Sequence, residues 1–177
     1  RPLILDKFSQ IDTFILDVDG VLTPGTVIAT DEGEMRREFD IKDGFALQYV
    51  IKKGYNIIII SGGSSEGVRR RLKVLGVTQV HTAIADKRAL LNQLVKDLDL
   101  DLENALYMGD DFPDLSIMRM CGIKVCPADA VWQVQEEVDI VTRAFGGKGA
   151  TLLLSKIRNV ETLSQESSHQ GSSPQER

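Results

Sequence analysis

The sequence predicts an α/β protein built as a doubly wound, Rossmann-like parallel sheet with a β-hairpin flap after the first strand. Two observations predict the sheet and a third adds the flap. Short β-rich runs recur that are apolar on both faces, as strands covered by helices on both sides must be. Segments of helical spacing separate them, and strict alternation of strand and helix gives a parallel sheet. One segment early in the chain breaks the alternation with a hairpin pattern.

Taken in order, "TFILDV" (13–18), "NIIIIS" (56–61), "VHTAI" (80–84), "ALYMG" (105–109) and "IKVC" (123–126) read as the strands. Asp43 to Lys53, Ser65 to Leu75, Lys87 to Leu98 and Asp114 to Met120 read as helices, with Gly54 and Gly76 in the positions that close helices. Residues 25–40, "GTVIATDEGEMRREFD", read as two short strands around the turn "TDEG". A hairpin there overhangs the carboxyl edge of the sheet, where such folds bind ligands. After "FGGKG" (145–149) a last apolar helix runs to about Val160. The expected organisation is one domain over 1–162, followed by a polar, low-complexity tail over 163–177 that is expected to be disordered.

Composition narrows the function. A chain of 177 residues, 42% hydrophobic and 27% charged, suits one domain with a sizeable core. A net charge of −5 argues against a nucleic-acid surface, which would be basic. No apolar run approaches the roughly 20 residues that cross a bilayer, and the start of the chain shows no signal-peptide pattern. Cys121 and Cys126 are close in sequence, but with only His81 and His169 as further soft ligands a zinc site is short of donors. Buried free thiols are the expected state.

The chemistry-bearing residues follow the strands. Asp17 and Asp19 end the first one, two residues apart and so on one side of an extended chain. Such a pair repels itself unless a cation or proton intervenes, and magnesium, which prefers hard oxygen ligands, would resolve the conflict. A plain Asp/Gly turn is the bland alternative. Ser61 ends the second strand and is followed by Gly62, Gly63 and a helix start, which suits a phosphate; Ser64 or Ser65 acting as a simple helix cap is the alternative. Lys87 opens a helix where the dipole disfavours a cation, so it is expected to have another partner unless it is simply solvated. Asp110, Asp111 and Asp114 follow "LYMG" and either complete a magnesium site or cap a helix. All four groups fall at one edge of a parallel sheet, and together they are the equipment for phosphoryl transfer.

In this order "DVDGVLT", "SGG", "DK" and "GDDFPD" resemble the four motifs of haloacid dehalogenase-like phosphatases, from about Ile11 to Ala150. The resemblance implies Asp17 as the nucleophile that forms an aspartyl-phosphate and Asp19 as the general acid/base. It implies Ser61, Gly62 and Lys87 around the phosphoryl oxygens. Mg²⁺ would be held by Asp17, the backbone carbonyl of Asp19 and Asp110, with support from Asp111 or Asp114. The short hairpin in place of a large cap domain, "FDIKDGFALQ", "EGVRRRLKVLGV" and "GGKGA" are similar to the 3-deoxy-D-manno-octulosonate 8-phosphate phosphatases. That likeness implies a sugar-acid phosphate substrate, lipopolysaccharide synthesis in the cytoplasm, and a homotetramer in which a neighbouring subunit closes each site. It also implies Lys42 and Asp43 near the sugar acid and Arg71 reaching a neighbour's substrate carboxylate.

A sister group acting on a nine-carbon sialic-acid-like sugar phosphate has Glu and Lys where this chain has Gly63 and Val74, which favours the eight-carbon sugar. Many octulosonate members, however, carry Arg at the position of Gly63. Two rivals stand outside this reading. A response-regulator receiver also gathers Asp, Ser/Thr and Lys around magnesium, but its phosphorylated Asp ends a middle strand, and here that strand ends at Ser61. A non-catalytic scaffold would be expected to have lost Asp17 or Asp19.

Overall fold

The computed structural model describes residues 3–157; the expected tail at 163–177 and the end of the final helix lie outside the described residues. A short helix α1 (Ile4–Phe8) leads into β1 (Thr13–Leu16), followed by a hairpin of β2 (Ile28–Ala29) and β3 (Met35–Arg36). Then come α2 (Ile41–Lys52), β4 (Asn56–Ile60), α3 (Glu66–Val74), β5 (Gln79–His81) and α4 (Lys87–Leu98). The chain continues through β6 (Ala105–Met108), α5 (Phe112–Met118), β7 (Ile123–Cys126), α6 (Trp132–Glu137) and β8 (Ile140–Val141). A helical segment at 152–157 ends the described chain.

Six strands form one sheet in the order β5-β4-β1-β6-β7-β8, and every pairing in it is parallel. Alternate residues of each strand feed opposite cores, as the two-residue period requires. Phe14, Leu16, Ile57, Ile59, Leu106 and Met108 face a layer that includes Leu47 and Val50 of α2, Leu72 of α3, and Leu154 and Ile157. Ile15, Ile58, Ile60 and Tyr107 face Leu91 and Leu94 of α4, Ile117 of α5 and Val134 of α6. The sheet is doubly wound, and its strand order reverses at β1.

Local signals set the helix boundaries. Asp40 caps α2 by accepting from the Lys42 and Asp43 amides, so α2 starts at Ile41 instead of the expected Asp43. Asp111 caps α5 in a reciprocal capping box with Asp114, which places its start at Phe112. A cap of this kind contributes about 1 kcal/mol. The fifth strand is shorter than expected, Gln79–His81. α1, α6 and β8 carried no clear periodic signal; β8 has two residues and α1 five.

The hairpin forms around the expected turn. The Thr30 and Glu34 backbones pair at 3.0 Å and the Gly33 amide donates to the Thr30 carbonyl at 2.9 Å. Both of its strands are exposed. Among the described residues no larger insertion follows β1, and no helix is long and apolar enough to cross a membrane.

Candidate active site

Register brings the catalytic candidates together. Leu16 lies opposite Ile59 on one side and Met108 on the other, so β1, β4 and β6 end at the same level. The ladder continues one step further: the Asp17 amide donates to the Met108 carbonyl at 3.1 Å and the Ser61 amide to the His81 carbonyl at 2.9 Å. Asp17, Asp19, Ser61, Gly62, Lys87, Asp110, Asp111 and Asp114 line one crevice above these strand ends.

The turn after β1 explains the "DVDG" spelling. The Val21, Leu22 and Thr23 amides all point at the Val18 carbonyl, which folds the chain back within a few residues. Gly20 has φ +85°, a left-handed conformation that glycine adopts without strain, and a Cβ there would overlap the Asp110 carboxylate. The first and last motifs are thus in van der Waals contact through a missing side chain.

Lys87 binds the cluster together. Its Nζ lies 3.1 Å from Asp17 Oδ1 and 2.8 Å from Asp114 Oδ1, with only 8% of the side chain exposed. Asp114 is the most engaged acid. Its Oδ1 also accepts from the Tyr107 hydroxyl at 2.7 Å, and its Oδ2 accepts from the Asp110 and Asp111 amides at 3.1 and 3.3 Å. This buried carboxylate orients Lys87 and the loop that carries Asp110. Asp111 reaches the cluster only through its amide; its carboxylate caps α5 by accepting from the Phe112 amide. Of the two acids expected to support the site, Asp114 is the one whose carboxylate bonds to Lys87 and to the loop amides.

Electrostatics show an unmet demand for positive charge. Burial, then the neighbouring Asp114, pushes the Asp17 carboxyl up to about 7, with Lys87 only partly opposing it. Burial and then Asp17, Asp114 and Asp111 push Asp110 up to about 8. Burial also works against the charge of Lys87, but Asp114 and Asp17 more than offset this and hold its pKa above the ordinary lysine value. One oxygen from each of Asp17, Asp110 and Asp114 falls within 4.8 Å of the others. Once all three carboxylates are ionised, the single Lys87 ammonium leaves two negative charges, which a divalent cation would match. The donors are all hard oxygens, the set that magnesium prefers. With four hydrogen bonds already on Asp114, the atoms best free to bind such an ion belong to Asp17 and Asp110.

Three expected substrate residues lie elsewhere. Asp43 does not line the crevice: it is 2% exposed and accepts from the Gly149 and Thr151 amides, each at 3.0 Å, and from the Thr151 hydroxyl. It is a structural tie to the "GGKGA" loop, whose Gly147 amide donates to the Val21 carbonyl at 2.9 Å and so backs the turn after β1. Lys42 is exposed and lines a separate depression with Pro24, Gly147 and Lys148. Arg71 lies in a cleft between the hairpin and α3, its guanidinium against Gly44. Ser65, not Ser64, caps α3 by accepting from Val68, which leaves Ser61 buried beside the crevice with its hydroxyl 3.2 Å from the Gly63 amide. Cys121 and Cys126 are free and buried, and burial pushes both thiols up to about 12.

One residue of the site was not anticipated. Arg37, just after β3, reaches down from the hairpin and forms a two-pronged ion pair with Asp19, Nε to Oδ1 at 2.6 Å and Nη2 to Oδ2 at 3.2 Å. In sequence it is one arginine of "RRE" and carries no mark of its own.

Known proteins are similar to this chain in sequence and fold. Residues 76–145 match the family of haloacid dehalogenase-like hydrolases. The 3-deoxy-D-manno-octulosonate 8-phosphate phosphatase of Escherichia coli K12 is 33% identical over 147 residues, 83% of this chain and 78% of that protein. The solved structure of the Moraxella catarrhalis 3-deoxy-D-manno-octulosonate 8-phosphate phosphatase, in complex with magnesium, phosphate and KDO, superposes with a TM-score of 0.84. It is 34% identical, and the match covers 89% of this chain and 91% of that one. The cobalt-bound deoxy-D-mannose-octulosonate 8-phosphate phosphatase of Haemophilus influenzae gives a TM-score of 0.84 at 31% identity, covering 88% of this chain and 92% of that one. Sequence likeness over most of both chains, the shared sheet and the acid-lined crevice agree: the chain is a phosphatase and belongs to the haloacid dehalogenase-like hydrolases.

Proposed function

We propose that this phosphatase is a Mg²⁺-dependent phosphomonoester hydrolase whose substrate is 3-deoxy-D-manno-octulosonate 8-phosphate. The observation that carries the chemistry is the convergence of Asp17, Lys87, Asp110 and Asp114 in one crevice with two charges left unbalanced. The substrate rests on the named relatives and on Gly63 and Val74, which stand where the nine-carbon pattern has Glu and Lys.

Asp17 and Asp110, with the Asp19 carbonyl, would hold the Mg²⁺, which supplies charge neutralisation at the phosphoryl oxygens. Asp17 attacks phosphorus, an aspartyl-phosphate forms, and the ester P–O bond breaks. Asp19 gives its proton to the departing sugar oxygen. It then takes a proton from the water that attacks phosphorus, and phosphate leaves as the Asp17 carboxylate is restored. Lys87 and Ser61 bind phosphoryl oxygens, and Asp114 and Tyr107 hold Lys87 on line. Such a reaction is mostly positioning and charge balance.

Release of the free octulosonate would feed synthesis of the lipopolysaccharide inner core in the cytoplasm. A homotetramer is part of the proposal, with a neighbouring subunit closing each site. Ile28 and Met35 support it: they are 62% and 51% exposed on a hairpin that covers no core of its own. The decisive measurement compares kcat/KM for the eight-carbon and nine-carbon sugar-acid phosphates with Mg²⁺. Preference for the nine-carbon ester, or uniformly low rates on many phosphates, overturns the substrate. Asp17→Asn should abolish phosphate release, by at least about 10³-fold for a lost nucleophile.

A further inference from the structure

Arg37 is placed where an exposed hairpin meets the buried crevice. Its neighbour Arg36 sits 65% exposed in a surface pair with Glu34, whereas the Arg37 side chain is 9% exposed. Besides the two bonds to Asp19, its Nη1 donates to the Met35 carbonyl at 3.0 Å, which anchors the guanidinium to the hairpin backbone. A fork on both carboxylate oxygens fixes the plane of the carboxylate as well as its position, which a single donor does not.

Among the described residues, Arg37 supplies every hydrogen bond that the Asp19 carboxylate accepts. A Cβ at Gly63 would stand 2.9 Å from both Arg37 Nη2 and Asp19 Oδ2, so the bare glycine is what leaves room for the pair. Asp19 is 36% exposed, and without the fork it would be free to rotate toward solvent. To act as the acid, Asp19 would carry its proton on Oδ2, giving up the longer bond at 3.2 Å while the 2.6 Å bond from Nε to Oδ1 keeps it in place, and a proton donor loses rate steeply when its geometry is lost.

We propose that Arg37 is a positioning residue for the phosphatase reaction. It fixes the Asp19 carboxylate at the leaving-group side of the crevice and makes acid–base catalysis depend on a docked hairpin. The inference rests on Asp19 being the acid/base.

The test uses two esters. An alkyl sugar phosphate leaves as a poor alkoxide that needs protonation, whereas p-nitrophenyl phosphate leaves as a stable phenolate that does not. For both, kcat/KM reports the steps up to the aspartyl-phosphate, before water attacks. Arg37→Ala should lower the alkyl-ester kcat/KM about 10- to 100-fold, mainly through kcat, and the aryl-ester value by less than about 3-fold, within the range that general acid catalysis supplies. Arg37→Lys should restore part of the loss. Arg37→Gln keeps the bulk without the fork, and should show the same split should the alanine variant fold poorly. In an Asp19→Asn background, Arg37→Ala should change the alkyl value no further. Equal losses on both esters, no loss on either, or a gain on the alkyl ester overturns the inference. A wild-type protein that hydrolyses neither ester would instead fail the reaction itself.

Discussion

At the floor of the crevice, Asp17, Ser61 and Asp110 stand at the ends of adjacent strands whose registers agree to the residue. Their positions are set by backbone ladders and by cores on both sheet faces, so no single side chain decides them. The hairpin above differs on every count. It has two residues in each strand, both exposed, and it meets the crevice through the Arg37–Asp19 ion pair. The acids of the floor are built into the paired strands and their two cores. Asp19, the proposed proton donor, is held from a short exposed hairpin, the kind of segment where local stability is low.

The sharpest way to break the floor is Gly20→Ala. It adds a methyl that overlaps the Asp110 carboxylate at a left-handed position. Activity should fall by about 100-fold or more, with a higher Mg²⁺ requirement, because a displacement of about 1 Å costs that much in positioned catalysis. Phosphate-release assays across a Mg²⁺ titration read both effects; unchanged Mg²⁺ dependence would mean that Asp110 does not serve the ion.

Charge on the floor gives the next effect. Asp17 and Asp110 have ordinary values of 3.8 and are raised to about 7 and about 8 in the fold. The native state therefore keeps protons that the unfolded chain has released, and metal-free stability should fall as pH rises from about 4 to 8. Added Mg²⁺ should stabilise most above about pH 8, where both carboxylates are ionised, and progressively less toward pH 5. Thermal unfolding at several pH values, with chelator and with excess Mg²⁺, measures this. Asp110→Asn should flatten the metal-free slope, and a slope unchanged by that substitution would assign it to other groups.

Asp43→Asn tests whether the floor is backed from behind. A buried carboxylate with three donors would become an amide with a misplaced donor, at a cost of about 1–3 kcal/mol. Denaturant unfolding reads the loss; an unchanged midpoint would sever the GGKGA loop from the stability of the turn. The smallest effect belongs to the hairpin surface. Arg36→Ala removes an exposed pair with Glu34 and should shift stability by less than about 0.5 kcal/mol while leaving both ester activities alone.

The same contrast explains what was legible in the sequence. The four motifs were readable because each is local: an acid pair or a hydroxyl spelled at the end of an apolar run, which the sheet then aligns. Lys87 was legible as an anomaly, a cation at a helix start, and the structure supplies its partners. Arg37 was not, because its meaning depends on how far the hairpin leans over the crevice, and that angle is encoded in no short window. Asp43 shows contacts hidden by their range. Its likeness to a substrate-binding segment pointed to the sugar, while its partners Gly149 and Thr151 lie more than a hundred residues on. Among the acids after β6, proximity in sequence could not separate Asp111, which caps a helix, from Asp114, which is buried under Lys87.

The tie between the Gly147 amide and the Val21 carbonyl also has a consequence in time. A chain emerging from the ribosome presents the turn after β1 first and the loop that backs it some 120 residues later, several seconds afterwards at about 5–20 residues per second. Until that loop arrives, the turn lacks its rear support and the Asp43 carboxylate lacks its donors. A nascent chain thus carries all four motifs before it can hold them in working order, and hydrolysis begins only after the backing loop has emerged.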